Sequence, residues 1–363
     1  MNKKVQPSKP KDKQRGQHGK KSMSRRKQRG FNIFVVIAIV VVLSGGALFA
    51  LWKPAPINED ERIFIPRDST FDAVVDTVVA HRCVSSAALF RTVSRFVSYT
   101  EHVKSGSYLV TPNMGVIRLV YKLYRGNQDP VRLTIGNIRT IDQLCHSLGS
   151  QLEFSADTMR RLLGDDSLCA AFDLTPQSII SLFMQNSYEV YWNIRPNQLL
   201  QRMETEYDRY WNEGRLRQCV ALKLSPAEVT TLASIVEEET RQDDEKELIA
   251  SVYLNRLRRG MPLQADPTVK FATGNFALRR ITASALKTES PYNTYTRRGL
   301  PPGPICIPGR ASLEAVLANR QSNYIYFCAS DDFSGHHRFA ATLAEHNENA
   351  RRYHRALDAR GIK

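Results

Sequence analysis

From Phe31 to Trp52 the chain reads FNIFVVIAIVVVLSGGALFALW, twenty-two residues without a charge. As a helix rising about 1.5 Å per residue, this stretch covers the roughly 30 Å hydrocarbon core of a bilayer. It divides the chain into a short leading segment and a long trailing one. Residues 3–29 carry twelve Lys or Arg and one acid, Asp12, so eleven of the fifteen net positive charges precede the apolar stretch. Basic residues stay on the cytoplasmic side of a span. The expectation is a single-pass membrane anchor over 31–52, with the N-terminus in the cytoplasm and everything from about Pro54 outside. A cleaved signal peptide would have a shorter apolar core of about 7–15 residues.

This charge distribution also argues against nucleic acid as a partner. Outside the tail, 39 basic residues face 35 acidic ones, which leaves no excess for a phosphate-tracking surface. The exterior portion is of globular composition and long enough for more than one core. Its six cysteines, Cys83, Cys145, Cys169, Cys219, Cys306 and Cys328, are widely spaced with no C-x-x-C. That spacing does not suit zinc. His336 and His337 have no second spaced ligand pair, so no metal site is expected.

The expected fold class is α+β, in four segments: a basic tail over 1–30, the span over 31–52, a small unit over 53–130, and a mixed helix and sheet domain over 131–363. In the small unit, RIFIP (62–66) and SGSYLVTP (105–112) read as strands. Between them lie helices over 71–80, capped by Asp68 or Ser69, and over 87–97. Strand–helix–helix–strand in this length resembles the LysM glycan-binding module. VRLTIG (131–136) is a further strand, and residues 181–196 read as an aromatic loop.

The clearest segment begins at Ser225. Ser225, Pro226 and Glu228 form an N-cap, a first-turn proline and a capping box. At about 100° per residue, Val229, Leu232, Ile235 and Val236 make an apolar stripe. Of the three consecutive glutamates that follow, Glu239 falls inside that stripe, while Glu237 and Glu238 fall outside it and read as surface charge. A carboxyl in an apolar setting keeps its proton to higher pH, which is what a general acid needs. A second helix, about 245–259, carries Leu248, Ile249 and Val252 on one face, flanked by Asn255 and Arg256. The loop Gln264-Ala265-Asp266-Pro267-Thr268 adds polar groups. PYNTYTRRGLPPGPICIPG (291–309) is too rich in Gly and Pro for helix or central strand. It places tyrosines and an asparagine where sugar rings could stack or bond.

The run SIVEEET followed by SVYLNRLRRGMPLQADPTV resembles the endolytic murein transglycosylases of the YceG-like family. PYNTY, GLPPGPI and the closing Gly-His, Thr and Glu-His-Asn positions do too. The resemblance spans about Leu222 to Tyr353 and departs from the family pattern at Gln185-Asn186-Ser187-Tyr188. It implies a lytic transglycosylase, a lyase of bacterial cell-wall peptidoglycan, seated on the outer face of the cytoplasmic (inner) membrane beside peptidoglycan synthases. Glu239 matches the family's catalytic glutamate. Asn255, Gln264, Asp266, Thr268, Tyr292, Asn293 and Tyr295 match motif positions expected to bind substrate. No cofactor is implied. Two other readings stay open: a muramidase using Glu239 and Asp266 with water, and a non-catalytic glycan-binding scaffold.

Overall fold

The computed structural model describes residues 25–278 and 281–361; the expected basic tail up to residue 24 lies outside these. The first element is helix α1, Arg25–Trp52. Its described apolar run is Asn32–Val41, and among the described residues no single helix is long and apolar enough to cross a membrane. Several side chains of the expected span beyond Val41 lie outside the described ones.

Strand β1 (Glu61–Ile65), helices α2 (Phe71–Ala80) and α3 (Ala87–Phe96), strand β2 (Gly106–Val110) and helix α4 (Val116–Arg125) build a first core. The strands pair antiparallel with Ile63 opposite Tyr108. Ile63, Val74, Phe90, Tyr108 and Leu119 are its fully buried centre. The cap of α2 is Thr70, whose side chain accepts from Ala73 N. Asp68 cannot fill that position because it sits at φ 59° in the preceding turn.

A second core has a similar plan. Strand β3 (Val131–Ile135) leads through α5 (Ile141–Gln151), α6 (Ala156–Leu163) and α7 (Asp166–Ala170) to strand β4 (Asn186–Val190) and helix α8 (Pro196–Tyr210). The strands pair antiparallel with Leu133 opposite Tyr188. The 181–196 stretch, read above as a loop, therefore contains a strand. Tyr188 and Val190 alternate inward with an exposed Glu189 between them, a short period-2 signal masked by aromatics on both sides. The two units meet where Phe64 packs on Trp192 at 5.0 Å, Asn193 Nδ2 donates to Ser105 O at 3.1 Å, and Arg67 pairs with Glu153 at 3.1 Å.

The third core comprises α9 (Glu213–Leu222), α10 (Pro226–Glu239), α11 (Lys246–Arg258), α12 (Asp266–Thr273), α13 (Arg310–Leu317), the antiparallel pair β5 (Tyr326–Ala329) and β6 (His337–Ala340), and α14 (Leu343–Ala359). The whole is a mixed α+β arrangement of helices and two-stranded sheets. All six cysteines are unpaired.

Helix α10 is the axle of this unit. Ser225 Oγ accepts from Glu228 N at 3.2 Å and Glu228 Oε2 accepts from Ser225 N at 2.8 Å, which closes the capping box. Every residue from Val229 to Val236 is buried, so the helix is enclosed all round rather than along one stripe. Val229, Leu232, Ile235 and Val236 each contribute about 1.5–3 kcal/mol by burial. The hydroxyls in that span turn back on the helix: Thr230 Oγ1 donates to Pro226 O at 2.8 Å and Thr231 Oγ1 to Ala227 O at 2.8 Å. The Pro/Gly-rich loop wedges alongside. Ile305 N donates to Ser234 Oγ at 3.0 Å, and Ile307 N donates to Ile138 O at 2.7 Å.

Candidate active site

Helix α10 ends on three carboxylates, at the end of a helix that disfavours negative charge. Two of them are neutralised. Glu238 takes two nitrogens of Arg139, with Nη2 at 2.9 Å and Nε at 3.2 Å. Glu237 accepts from the Ser312 hydroxyl and lies 3.2 Å from Lys246 Nζ. Both side chains are about one-sixth exposed, 17% and 16%. They are therefore paired and largely buried, not the surface charges expected from helical periodicity.

Glu239 forms no ion pair among the described residues. Its Oε1 accepts from the hydroxyl of the buried Tyr253 at 2.5 Å. Burial lifts its pKa from the ordinary 4.5 to about 7; the Asp266 and Glu238 carboxylates add to the rise, and Tyr253 and Lys270 oppose it. A carboxyl of this kind is half ionised near neutrality and can both give and take a proton. Because Oε1 is engaged by Tyr253, the acid proton belongs on Oε2.

Glu239 and Tyr253 line a cleft of about 500 Å³ together with Arg256, Gln264, Asp266, Tyr295 and residues of β5, β6 and α14. Tyr295 Oη donates to Asp266 Oδ1 at 2.6 Å, fixing an exposed carboxylate on the rim. On the opposite bank Tyr326 stacks with His346 at 5.2 Å. His337 Nδ1 lies 2.8 Å from Glu245 Oε1, which also accepts from Thr240 Oγ1, the residue that ends α10. Among the described residues no group of three or more His, Cys, Asp or Glu side chains could hold a metal.

Of the residues singled out from the sequence, Glu239, Gln264, Asp266 and Tyr295 meet at this cleft. Asn255, Thr268, Tyr292 and Asn293 do not. Asn255 Nδ2 donates to Ser322 O at 2.8 Å and Tyr324 O at 2.9 Å, clipping α11 to the segment before β5. Thr268 is fully buried and bonds Thr294 Oγ1 at 2.8 Å. Tyr292 packs on Phe271 at 4.6 Å. Asn293, also fully buried, donates to Leu286 O at 3.0 Å and Thr288 O at 2.8 Å. Thr268, Tyr292 and Asn293 thereby shape the loop that presents Tyr295. Gln185, where the family pattern breaks, donates to Ile307 O at 2.6 Å and does not line the cleft.

Sequence reasoning missed Tyr253, Tyr326, His346 and Asn347 as cleft residues, and left Arg256 as a residue flanking an apolar face. Tyr253 and Arg256 follow Ile249 at helical spacing on α11, so the available signal was polar groups continuing an apolar face.

Comparison with known proteins gives a consistent picture. Residues 63–352 match the YceG-like family. A protein of Bacillus subtilis (strain 168) named endolytic murein transglycosylase is 25% identical over 333 residues, covering 86% of this chain and 91% of that one. A protein of the same name from Streptococcus pneumoniae (serotype 2, strain D39) is 25% identical over 365 residues, 88% of this chain, which spans 64% of the streptococcal protein's length. A crystal structure of a yceG-like protein from Listeria monocytogenes superposes with a TM-score of 0.55 at 27% identity, covering 80% of this chain and 98% of that one.

Proposed function

The chain belongs to the YceG-like family, and from that premise we infer that it is a peptidoglycan lytic transglycosylase in which Glu239 is the acid and base. The observation that carries this reading is Glu239, the last of the three consecutive glutamates that end α10. Among the described residues it alone of the three lacks a cation partner; it faces the cleft, and burial pushes its pKa up to about 7. The bond cut is the β-1,4 link between N-acetylmuramic acid and N-acetylglucosamine. Glu239 Oε2 gives its proton to the leaving glycosidic oxygen as the C1–O bond breaks. The ionised carboxylate then takes the proton of the muramyl 6-hydroxyl while that oxygen bonds to C1. No water is consumed, Glu239 regains its starting state, and a 1,6-anhydro end results. The nucleophile is intramolecular, so one carboxyl serves both steps, unlike the two flanking carboxylates of ordinary glycosidases. Asp266, held by Tyr295, contributes negative charge opposite the developing cation.

Other parts of the chain fit this role. The apolar side chains from Ile33 to Ile37 are exposed, which suits helix α1 as a single-pass anchor in the bacterial cytoplasmic membrane, with the cleft on its outer face. Pairing of β1 with β2 around α2 and α3 suits a LysM-like glycan-binding unit. Peptidoglycan synthases at the same membrane would be its neighbours, and strand termination its outcome.

The test is to digest purified glycan strands with the full chain and read the new ends by mass spectrometry. The expected ends are anhydro-muramyl; ends heavier by one water would make the protein a hydrolase, and intact strands would make it a scaffold. The pH profile gives a second check. The reaction starts from protonated Glu239, so the rate should fall as pH rises through about 7. Tyr253→Phe removes a bond that holds this pKa down, so the alkaline limb should move to higher pH. A limb that stays put or moves down would separate Tyr253 from the proton transfer.

A further inference from the structure

Arg256 is 7% exposed, yet it lines the cleft. A buried guanidinium is costly unless its charge is matched. Here it is not matched: among the described residues Arg256 forms no ion pair, and its electrostatic neighbours are the tyrosines Tyr253, Tyr326 and Tyr295. Its Nη2 donates to Gln264 Oε1 at 2.5 Å, and its guanidinium carbon lies 5.5 Å from the Tyr326 ring centroid. Its Nε is buried with no hydrogen-bond partner. Beside it, Nδ1 of His346 is buried and unpartnered too; burial and the Arg256 charge both lower the His346 pKa, which favours the neutral ring. The two carboxylates of the cleft are already held by other groups, Glu239 by Tyr253 and Asp266 by Tyr295.

A planar fork of five N–H donors with one bond made and no counter-ion is a site for an incoming anion. Guanidinium is also the side chain best matched to carboxylate. In the substrate proposed above, the sugar rings themselves carry only hydroxyls and acetamides. The carboxylates lie on the muramyl substituent. We propose that Arg256 is the specificity-determining residue of the cleft and binds a carboxylate of that muramyl substituent. The carboxylate is either the lactyl group bared on peptide-free strands or one belonging to the stem peptide. Such a contact distinguishes murein from a neutral aminosugar polymer and fixes which ring stands beside Glu239. The inference rests on the transglycosylase reading and sharpens it.

The experiment uses the full chain carrying Glu239→Gln, so that strands bind without being cut. Four ligands are compared by calorimetry: peptide-bearing strands, peptide-free strands, and each of these with its carboxyls reduced to alcohols. Reduction should weaken binding of at least one class by about tenfold or more, the range of a hydrogen-bonded charge. Loss on peptide-free strands identifies the lactyl group, and loss on peptide-bearing strands alone identifies the stem. Adding Arg256→Gln should weaken the native strands about as much and leave the reduced strands within about twofold. Equal binding of native and reduced strands would overturn the proposal whether or not the Arg256 variant folds. Equal weakening of both by Arg256→Gln would make the residue structural. Failure of every strand to bind would remove the transglycosylase reading itself, and this proposal with it.

Discussion

Glu239→Gln is expected to lower the turnover of glycan strands by roughly 10²–10⁴-fold, the usual worth of a positioned acid–base group, with little change in strand affinity. The amide is isosteric and can still accept the Tyr253 hydrogen bond through its carbonyl oxygen, but it has no proton to give to a leaving oxygen. Anhydro ends, read by mass spectrometry against time, are the measure; persistence of more than about a tenth of the wild-type rate would place the acid elsewhere. The same variant should alter stability in a defined sense. With its pKa raised from 4.5 to about 7 in the folded chain, Glu239 binds more proton folded than unfolded between those values. Stability therefore declines as pH rises through that window. Removing the group should make the variant more stable than the wild type at about pH 8, by on the order of 1–3 kcal/mol, and not at about pH 4. Thermal unfolding at both pH values tests the sign.

Gly303→Ala should have the largest effect on stability. Gly303 lies between Pro302 and Pro304 in the buried loop beside α10. A Cβ there would run into the carbonyl of Gln177 and lie 3.2 Å from Ser178 Cα. Both obstacles are backbone, and neighbouring prolines restrict the loop's freedom to retreat. Overpacking without relief costs roughly 2–4 kcal/mol or more. The expected result is a lower urea midpoint for the third core, and reduced activity, because the loop holds Ser234 of α10 through Ile305 N. An unfolding free energy within about 0.5 kcal/mol of wild type would show that the contact gives way.

How far the chain could be read in advance depended on the range of the interactions. Helix α10 was legible because its start is local: Ser225, Pro226 and Glu228 close their own cap. Glu239 stood out from its neighbours for a reason that holds only in part. Periodicity set Glu239 apart from Glu237 and Glu238, but the helix is buried on all sides. What separates the three residues is long-range pairing. Arg139 neutralises Glu238 from 99 residues away, and Ser312 bonds Glu237 from 75. No local pattern encodes either. The same limit explains Asn255, Thr268 and Asn293. Their polar side chains suit a sugar as well as a carbonyl, and only the tertiary structure brings Ser322, Thr294 and Leu286 to them. Tyr292 and Tyr295 stand three residues apart in one motif, yet one packs inward on Phe271 and the other reaches Asp266.

The fastening around α10 bears on how a polymer can reach Glu239. Arg139 to Glu238, Ile138 to Ile307 and Gln185 to Ile307 all tie the second unit to the third. Parting these bodies like jaws would break every tie at once. The cleft needs no such parting, because its lining residues Gln264, Asp266, Leu343 and Asn347 already face solvent, so a strand can settle into it sideways. Loading of that kind requires no loose terminus to be threaded, which suits a blade that severs a chain in mid-length.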